Sequence, residues 1–443
     1  MIKGRWMLSV CVCLLALAST ALSQQTILIR YGRIIPVIGP VIERGCLLIE
    51  KGKIAKIGED IAAPPDAVVI EADGRSVYPG LIAPMTAIGL TGYPGAGDDL
   101  DEVGISVPQM DPFDALNPED ECIEVTRLEG VTAVLTIAGT QNVISGKSIL
   151  IYLDGDLAGD MLIKKNVAQI FNLGARQQGK YPVTLPGVMA LIRDKLNQTK
   201  RYIETKKFME KRSGFKPEDT RGEGTGEELS KPNPEYEALI PVVQGEVPAL
   251  FMTNNEVMIG NAIALVKEFN LKGILYATAD VLKYADQIRE HKIPLIWAGT
   301  TNIPRRWEPF DHNFRAGSVL ASKGALFSFD QLGWGPGNRN VRNLPVPAAH
   351  SVAHGLSEEE AIRAMTINPA KIFGVEGELG SLEVGKTANL ALWSGSPVQM
   401  RSRVEKVIIK GRIIPPASIQ TRLRDKFEKI VRERRSKPGS DAK

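Results

Sequence analysis

The feature that most constrains the fold is an alternation of short apolar segments with helical segments through the middle of the chain. Apolar, strand-like runs occur at residues 131–136, 249–252, 273–276, 294–297 and 324–329. Apolar residues at helical spacing separate several of these runs. Strands that are apolar throughout and joined by helices are typical of parallel sheets covered on both faces. About 300 residues of such units, here residues 79–378, predict an α/β fold with a (β/α)8 TIM-like barrel.

The two ends of the chain share a different texture. Residues 24–78 and 379–416 contain short runs rich in β-forming residues, separated by glycine-containing turns. Neither segment is long enough for a separate large domain. The sequence therefore predicts one small composite β-sandwich built from both chain ends.

Residues 205–235 interrupt the barrel pattern. The segment is charged, rich in glycine and proline, and poor in apolar residues. Segments of this composition bury too little apolar surface to pack into a core. We expect a mobile surface insertion.

Residues 417–443 form a basic tail with nine Lys and Arg against four Asp and Glu. Apolar residues recur at helical spacing at Ile419, Leu423, Phe427 and Ile430, which predicts a helix. The favoured interpretation is a solvated helix that caps the β-domain. Contact with a membrane surface or a partner is the alternative.

The first 23 residues have the features of a secretory signal peptide. Lys3 and Arg5 precede an apolar run over residues 6–17, and Ala21 and Ser23 are small residues before the predicted cleavage point. We therefore expect export to the periplasm or secretion, with no transmembrane segment after cleavage; a retained anchor is the alternative. The formal net charge of +3 gives no indication of a nucleic-acid partner.

After removal of the signal peptide, Cys46 and Cys122 are the cysteines that remain. Two cysteines do not form a disulfide framework for a chain of this size. The sequence leaves a bridge between them open, because its geometry cannot be tested.

A short motif at the start of the predicted barrel carries the chemical argument. Residues 79–84 are Pro-Gly-Leu-Ile-Ala-Pro, followed by Met85, Thr86 and Ala87. The run resembles a signature in which such a strand ends in His-x-His and the two histidines bind a catalytic metal. In this chain the histidine positions are Met85 and Ala87.

Other segments extend the resemblance over most of the chain: residues 114–118, 130–132, 139–146, 366–370 and 380–386. Together they resemble the amidohydrolase superfamily, in its imidazolonepropionase-like branch. The resemblance implies a metal-dependent barrel with a composite β-sandwich. It also implies hydrolysis of non-peptide C–N bonds in cyclic amides and similar small molecules.

The resemblance further implies five metal-ligand positions at the carboxyl ends of barrel strands. They correspond here to Met85, Ala87, Met252, a position near Ala277 that is uncertain by one or two residues, and Asp330. Thioether and methyl groups cannot replace imidazoles on a zinc-like ion. Only Asp330 retains a suitable donor, and it is the predicted acid or base.

The loss of these ligands favours a pseudoenzyme without a cofactor. Such a protein would pair with an active amidohydrolase relative or another copy of itself, or bind a small molecule. The alternative is an active C–N hydrolase that uses Asp330 with a metal-free site or with a relocated divalent metal such as zinc. Two groups of residues are candidates to bind a relocated metal ion: His312 with Glu308 and Asp311, and His350 with His354. A solvated loop and a structural helix are the favoured interpretations of these groups.

Polar residues that follow the predicted strands are candidates for ligand binding. Asn, Tyr, Thr and Arg side chains can bind a small molecule without a metal. The alternative is that they satisfy one another at the strand ends. The candidates are Asn254, Tyr276, Thr278, Arg339 and Arg342.

Overall fold

A computed structural model describes residues 25–91, 100, 103–176, 179–211, 232–331 and 340–435. The predicted signal peptide and Arg339 lie outside these ranges. The strands are β1 Ile27–Ile34, β2 Ile42–Glu50, β3 Lys53–Gly58, β4 Val68–Glu71, β5 Ser76–Pro79, β6 Leu81–Thr86, β7 Val131–Ile137, β8 Ile144–Tyr152, β9 Leu162–Lys164, β10 Gln169–Asn172, β11 Ala249–Thr253, β12 Gly273–Ala277, β13 Leu295–Trp297, β14 Phe327–Phe329, β15 Leu390–Trp393, β16 Val404–Ile409 and β17 Arg412–Ile413.

Helices connect and flank these strands. They are α1 Glu121–Arg127, α2 Ala158–Met161, α3 Leu185–Lys211, α4 Pro234–Val243, α5 Glu256–Phe269, α6 Ala285–Glu290, α7 Ala316–Ser322, α8 Pro345–Ala353, α9 Glu358–Met365, α10 Ile367–Phe373 and α11 Ile419–Arg435. Short 3-10 helices include Pro112–Ala115 and Val281–Tyr284.

Strands from both chain ends form the smaller sheet. Its order is β17-β16-β15-β5-β1-β2-β3, with β4 also paired to β1. The first half of β1 pairs with β4 and its last residues pair with β5, and a register shift follows Ile29. The strands are therefore one hydrogen-bonded network and not two separate sheets. A cluster of buried apolar residues, including Ile27, Leu47 and Leu390, fills one face.

The larger sheet is mixed and nearly closed. Its order is β14-β13-β12-β11-β10-β8-β7-β6, with β9 beside β8, and β14 approaches β6. Strand β8 is antiparallel to both β7 and β10, whereas the other neighbours on this path are parallel. Six residues separate β7 from β8, which is too short for a helical crossover and allows only a hairpin. The sheet thus departs from the eight parallel units that the sequence pattern predicts.

Helices extend into both ends of the predicted 205–235 insertion. Helix α3 continues to Lys211, and α4 begins at Pro234 after the N-cap residue Asn233. The hydroxyl of Tyr202 on α3 donates to Glu237 on α4 at 2.6 Å. The ends of the segment are therefore ordered by helix–helix contacts, and residues 212–231 lie outside the described part of the chain.

The two cysteines do not form a disulfide. Cys46 is buried in β2, and Cys122 is partly buried in α1. The bridge that the sequence left open is not made in this structure.

Candidate functional site

The register of the larger sheet defines a row of side chains across its carboxyl end. Asn172 pairs with Met252, and Met252 pairs with Tyr276. The row continues through Ile296 to Ser328 on β14. Paired residues of neighbouring parallel strands point to the same face of a sheet, because side chains alternate along each strand. These five residues therefore share one face.

A hydrogen bond identifies that face as the barrel interior. The Tyr276 hydroxyl donates to Asp330 Oδ2 at 3.0 Å, from β12 to the end of β14. It crosses β13, so both side chains lie on the concave side of the sheet. Asp330 is two residues after Ser328 and shares its face by the same alternation. We refer to the two residues as the Tyr276–Asp330 pair.

A pocket of about 290 Å³ opens at the ends of β10, β11 and β12. It contains the predicted binding residues Asn254, Tyr276 and Thr278, together with Met252. We call it the strand-end pocket. The full lining is Asn172, Gly174, Met252, Thr253, Asn254, Tyr276 and Thr278, and none of these residues is charged.

Sequence analysis missed Asn172, which lies on the pocket wall. Its side-chain oxygen accepts from the Gly174 backbone N–H at 2.7 Å, and its amide donates to the Thr140 carbonyl. These two bonds fix the amide at the end of β10. In the sequence, Asn172 could have been recognised as a polar residue directly after the apolar pair Ile170 and Phe171. It pairs with Met252 and so has the position on β10 that Met252 has on β11.

Burial controls the protonation of Asp330. The residue is 2% exposed, and desolvation raises the pKa of its carboxyl to about 7. Hydrogen bonds from Tyr276 and the Gln331 backbone lower the pKa but do not offset the desolvation. The group is therefore uncharged below neutral pH and exchanges its proton near pH 7, as a general acid or base requires.

The two positions at the carboxyl end of β6, for which the resemblance implies histidines, are packed in the core. Met85 is 1% exposed and Ala87 is fully buried. Between them, the Thr86 hydroxyl donates to the Leu135 carbonyl on β7 at 3.0 Å. The strand end that would carry two histidines is thus closed by apolar packing and a hydroxyl–backbone bond.

Strand alternation also refines the position on β12. Ala277 pairs with Trp297 and lies on the opposite face from Tyr276. The residue that faces the barrel interior is Tyr276, one position earlier. A phenol ring therefore occupies the place on this strand for which the resemblance implies an imidazole.

The described residues do not fit a zinc-like metal. No group of three or more His, Cys, Asp or Glu side chains within the described ranges is arranged to bind an ion. The pocket wall offers thioether, amide and hydroxyl groups, whereas such ions prefer imidazole, thiolate and carboxylate donors.

The histidines considered for a relocated site have structural partners. His312 lies 3.7 Å from Glu308, while Asp311 is directed to Arg315 at 3.9 Å. His350 and His354 each contact the backbone carbonyl four residues earlier through Nδ1, and both rings pack on Phe314.

Arg342 lies outside the strand-end pocket. Its guanidinium donates to Gln420 of α11 at 3.1 Å. It lines a separate cavity of about 520 Å³ between α8 and the small domain, together with Trp393 and Met400. Proximity to Asp330 along the chain does not bring Arg342 to the site, and Arg339 lies beyond the described residues.

Asp120 anchors the chain immediately after β6. It is 3% exposed, caps α1 by accepting from the Cys122 N–H at 2.8 Å, and accepts from the Gly89 N–H at 2.7 Å. Burial raises the pKa of this carboxyl, and the backbone hydrogen bonds lower it. The carboxyl fixes the loop after Met85 and Ala87 to α1.

Residues 322–414 match the amidohydrolase family. The chain is 24% identical to amidohydrolase tasK of Hapsidospora irregularis over 408 residues, which is 83% of this chain and 39% of that protein. It is 39% identical to the imidazolonepropionase of Maricaulis maris over 64 residues, 14% of this chain and 16% of that enzyme. The chain thus spans well under half the length of the curated relatives it matches.

A solved structure covers more of the fold. The crystal structure of an amidohydrolase from Thermotoga maritima MSB8 superposes with a TM-score of 0.77 and 26% identity. The superposition covers 88% of this chain and 99% of that one. The similarity extends over both the larger sheet and the β-domain.

Proposed function

Because the chain belongs to the amidohydrolase superfamily, in its imidazolonepropionase-like branch, we propose that it keeps the superfamily's barrel and pocket without the metal centre. In this proposal the larger sheet is a (β/α)8-type barrel with one reversed strand, and the small domain is a composite β-domain built from both chain ends. The protein binds a small molecule in the strand-end pocket and does not hydrolyse it by metal-activated water.

The Tyr276–Asp330 pair is the observation that carries the proposal. The phenol of Tyr276 extends across β13 and donates to the one carboxylate that remains at the five positions. The other positions contribute Met85, Ala87 and Met252, which are poor ligands for zinc-like ions. The space near Asp330 is therefore occupied by a side chain that satisfies the carboxyl without an ion.

The lining of the strand-end pocket indicates the chemistry of the ligand. The lining residues Asn172 and Asn254 carry amides, Tyr276 and Thr278 carry hydroxyls, and no lining residue is charged. A charged ligand would lose its hydration without a partner of opposite charge in this lining. We therefore propose an uncharged molecule with an amide or similar group that both donates and accepts hydrogen bonds.

The binding proposal predicts a specific loss in Asn254→Ala. Asn254 is exposed at the pocket and pairs with the adjacent Asn255. Removing its amide should weaken binding of the best ligand by about three- to tenfold, the value of one hydrogen bond between neutral groups. Calorimetric titration with cyclic amides and acylated dipeptides measures this change. Asn197→Ala, an exposed site on α3, is the control.

A second candidate function is metal-free C–N hydrolysis, favoured by the pKa of about 7 at Asp330. Above that pH the carboxylate would take a proton from an attacking water and return it to the leaving nitrogen. Hydrolysis by the wild type that Asp330→Asn abolishes would support this candidate and contradict the pseudoenzyme proposal. Binding without turnover would support the first.

Export and pairing with an active relative remain part of the proposal. Residues 1–23 carry the features of a signal peptide, so the mature chain is proposed to be periplasmic or secreted. A partner of the same fold would supply the chemistry that this chain lacks. The binding experiment is independent of both points.

A further inference from the structure

Helix α11 extends from the body of the protein with little cover. Its first turn is fixed because Glu124 on α1 accepts from the Ile419 N–H at 3.0 Å and pairs with Arg422 at 2.9 Å. From Leu423 to Arg434, every residue except the partly buried Ile430 is exposed. The helix is anchored at one end and presents most of its surface to solvent.

The exposed surface of α11 is amphipathic. At 3.6 residues per turn, its apolar residues lie within an arc of about 120°. Leu423 is 37% exposed, Phe427 58% and Val431 46%. We call this stripe the apolar face; its members are Ile419, Leu423, Phe427, Ile430 and Val431.

Positive charge is concentrated around the apolar face. Residues 419–443 carry a net charge of +5, whereas the whole chain carries +3, so the other 418 residues carry −2. On the helical wheel Arg424 and Lys426 border the apolar face on either side. The helix therefore combines apolar surface with a local excess of cations on a nearly neutral protein.

We infer that α11 binds the surface of a bilayer of anionic phospholipids. A charged helix with Phe and Leu on one face and Lys and Arg around it lies in the plane of the headgroups, with its apolar face inserted. Anionic headgroups attract each nearby Lys or Arg. Among the described residues, no helix is both long enough and apolar enough to cross a bilayer.

Charge favours a lipid surface over a second copy of the helix. Two copies packed through their apolar faces would bring their bordering cations together, and like charges at that distance repel. At an anionic lipid surface, the same cations are attracted to the headgroups. The inference does not depend on the function of the strand-end pocket.

Vesicle flotation with the full mature chain tests the inference. Vesicles of equal parts phosphatidylglycerol and phosphatidylcholine should carry the protein to the top of the gradient, and pure phosphatidylcholine should not. Phe427→Ser should weaken binding by about tenfold, because it removes the largest inserted side chain. Phe310→Ser is the matched control, since Phe310 is 78% exposed on the loop after β13.

The charge contribution is tested separately. Lys426→Glu with Lys429→Glu should weaken binding by roughly fivefold or more for each lysine replaced. The control replaces Lys51 and Lys406, both exposed on the small domain, with Glu. Circular dichroism of each variant checks that the fold is retained.

Three results would overturn the inference. The first is absence of flotation with anionic vesicles. The second is equal loss of binding in Phe427→Ser and Phe310→Ser, which would show that the loss is not specific to the apolar face. The third is a wild-type dimer in light scattering that Phe427→Ser dissociates, without vesicle binding, which would assign the apolar face to self-association.

Discussion

Replacing Asp330 with Asn is expected to remove most of the loss of stability that the wild type shows between pH 4 and 7. Burial raises the pKa of Asp330 from 3.8 to about 7. In that interval the folded state keeps a proton that the unfolded state releases, so the free energy of unfolding falls as pH rises. The full effect is on the order of 4 kcal/mol, reached above pH 7.

Asparagine suits this test because it is nearly the same shape and stays uncharged. Its side-chain oxygen can still accept from the Tyr276 hydroxyl, so the hydrogen bond survives. Urea unfolding from pH 4 to 8 gives both stability profiles, with the exposed Asp66→Asn as control. Parallel profiles for the wild type and Asp330→Asn would show that Asp330 is ionised in the folded state throughout.

Asp120→Ala is expected to cost about 3 kcal/mol of unfolding free energy at neutral pH. The substitution removes the cap of α1 and leaves the Cys122 and Gly89 N–H groups without their carboxylate acceptor. A lost cap costs about 1 kcal/mol, and a buried donor left unsatisfied costs about 1–3 kcal/mol. Thermal and urea unfolding measure the sum.

Asp111→Ala provides the comparison. Asp111 also caps a short helix, accepting from the Phe113 N–H at 3.0 Å, but it is only partly buried. Its removal should cost about 1 kcal/mol or less. Equal costs for the two variants would mean that the contact of Asp120 with the loop after β6 does not contribute. Asp120→Asn, which keeps an acceptor, should recover part of the loss.

The sequence predicted most strands of the larger sheet but not their directions. Apolar runs identify β7, β11, β12, β13 and β14, because each is buried on both faces. Strand β8 is also buried except at Lys147, yet it runs in the opposite direction. Direction depends on the length of the connection, and the short segment after β7 allows only a hairpin.

The sequence predicted the site residues that lie at the ends of strands. It did not predict the residues whose place depends on strand register or on the packing of helices. Asn254, Tyr276 and Thr278 follow apolar runs directly and meet in one pocket. A shift of one residue separates Tyr276 from Ala277 and changes the face of the sheet. Arg342 follows Asp330 closely in sequence, but it contacts Gln420 on α11 and not the pocket.

We propose that the chain retains the amidohydrolase fold without its metal centre. The most direct test is the metal content of the purified full chain, measured by inductively coupled plasma mass spectrometry after incubation with zinc, iron and manganese and then dialysis. We predict far less than one metal ion per chain. A near-stoichiometric content of any one of them, lost in Asp330→Asn, would contradict the claim and restore the metal-dependent hydrolase.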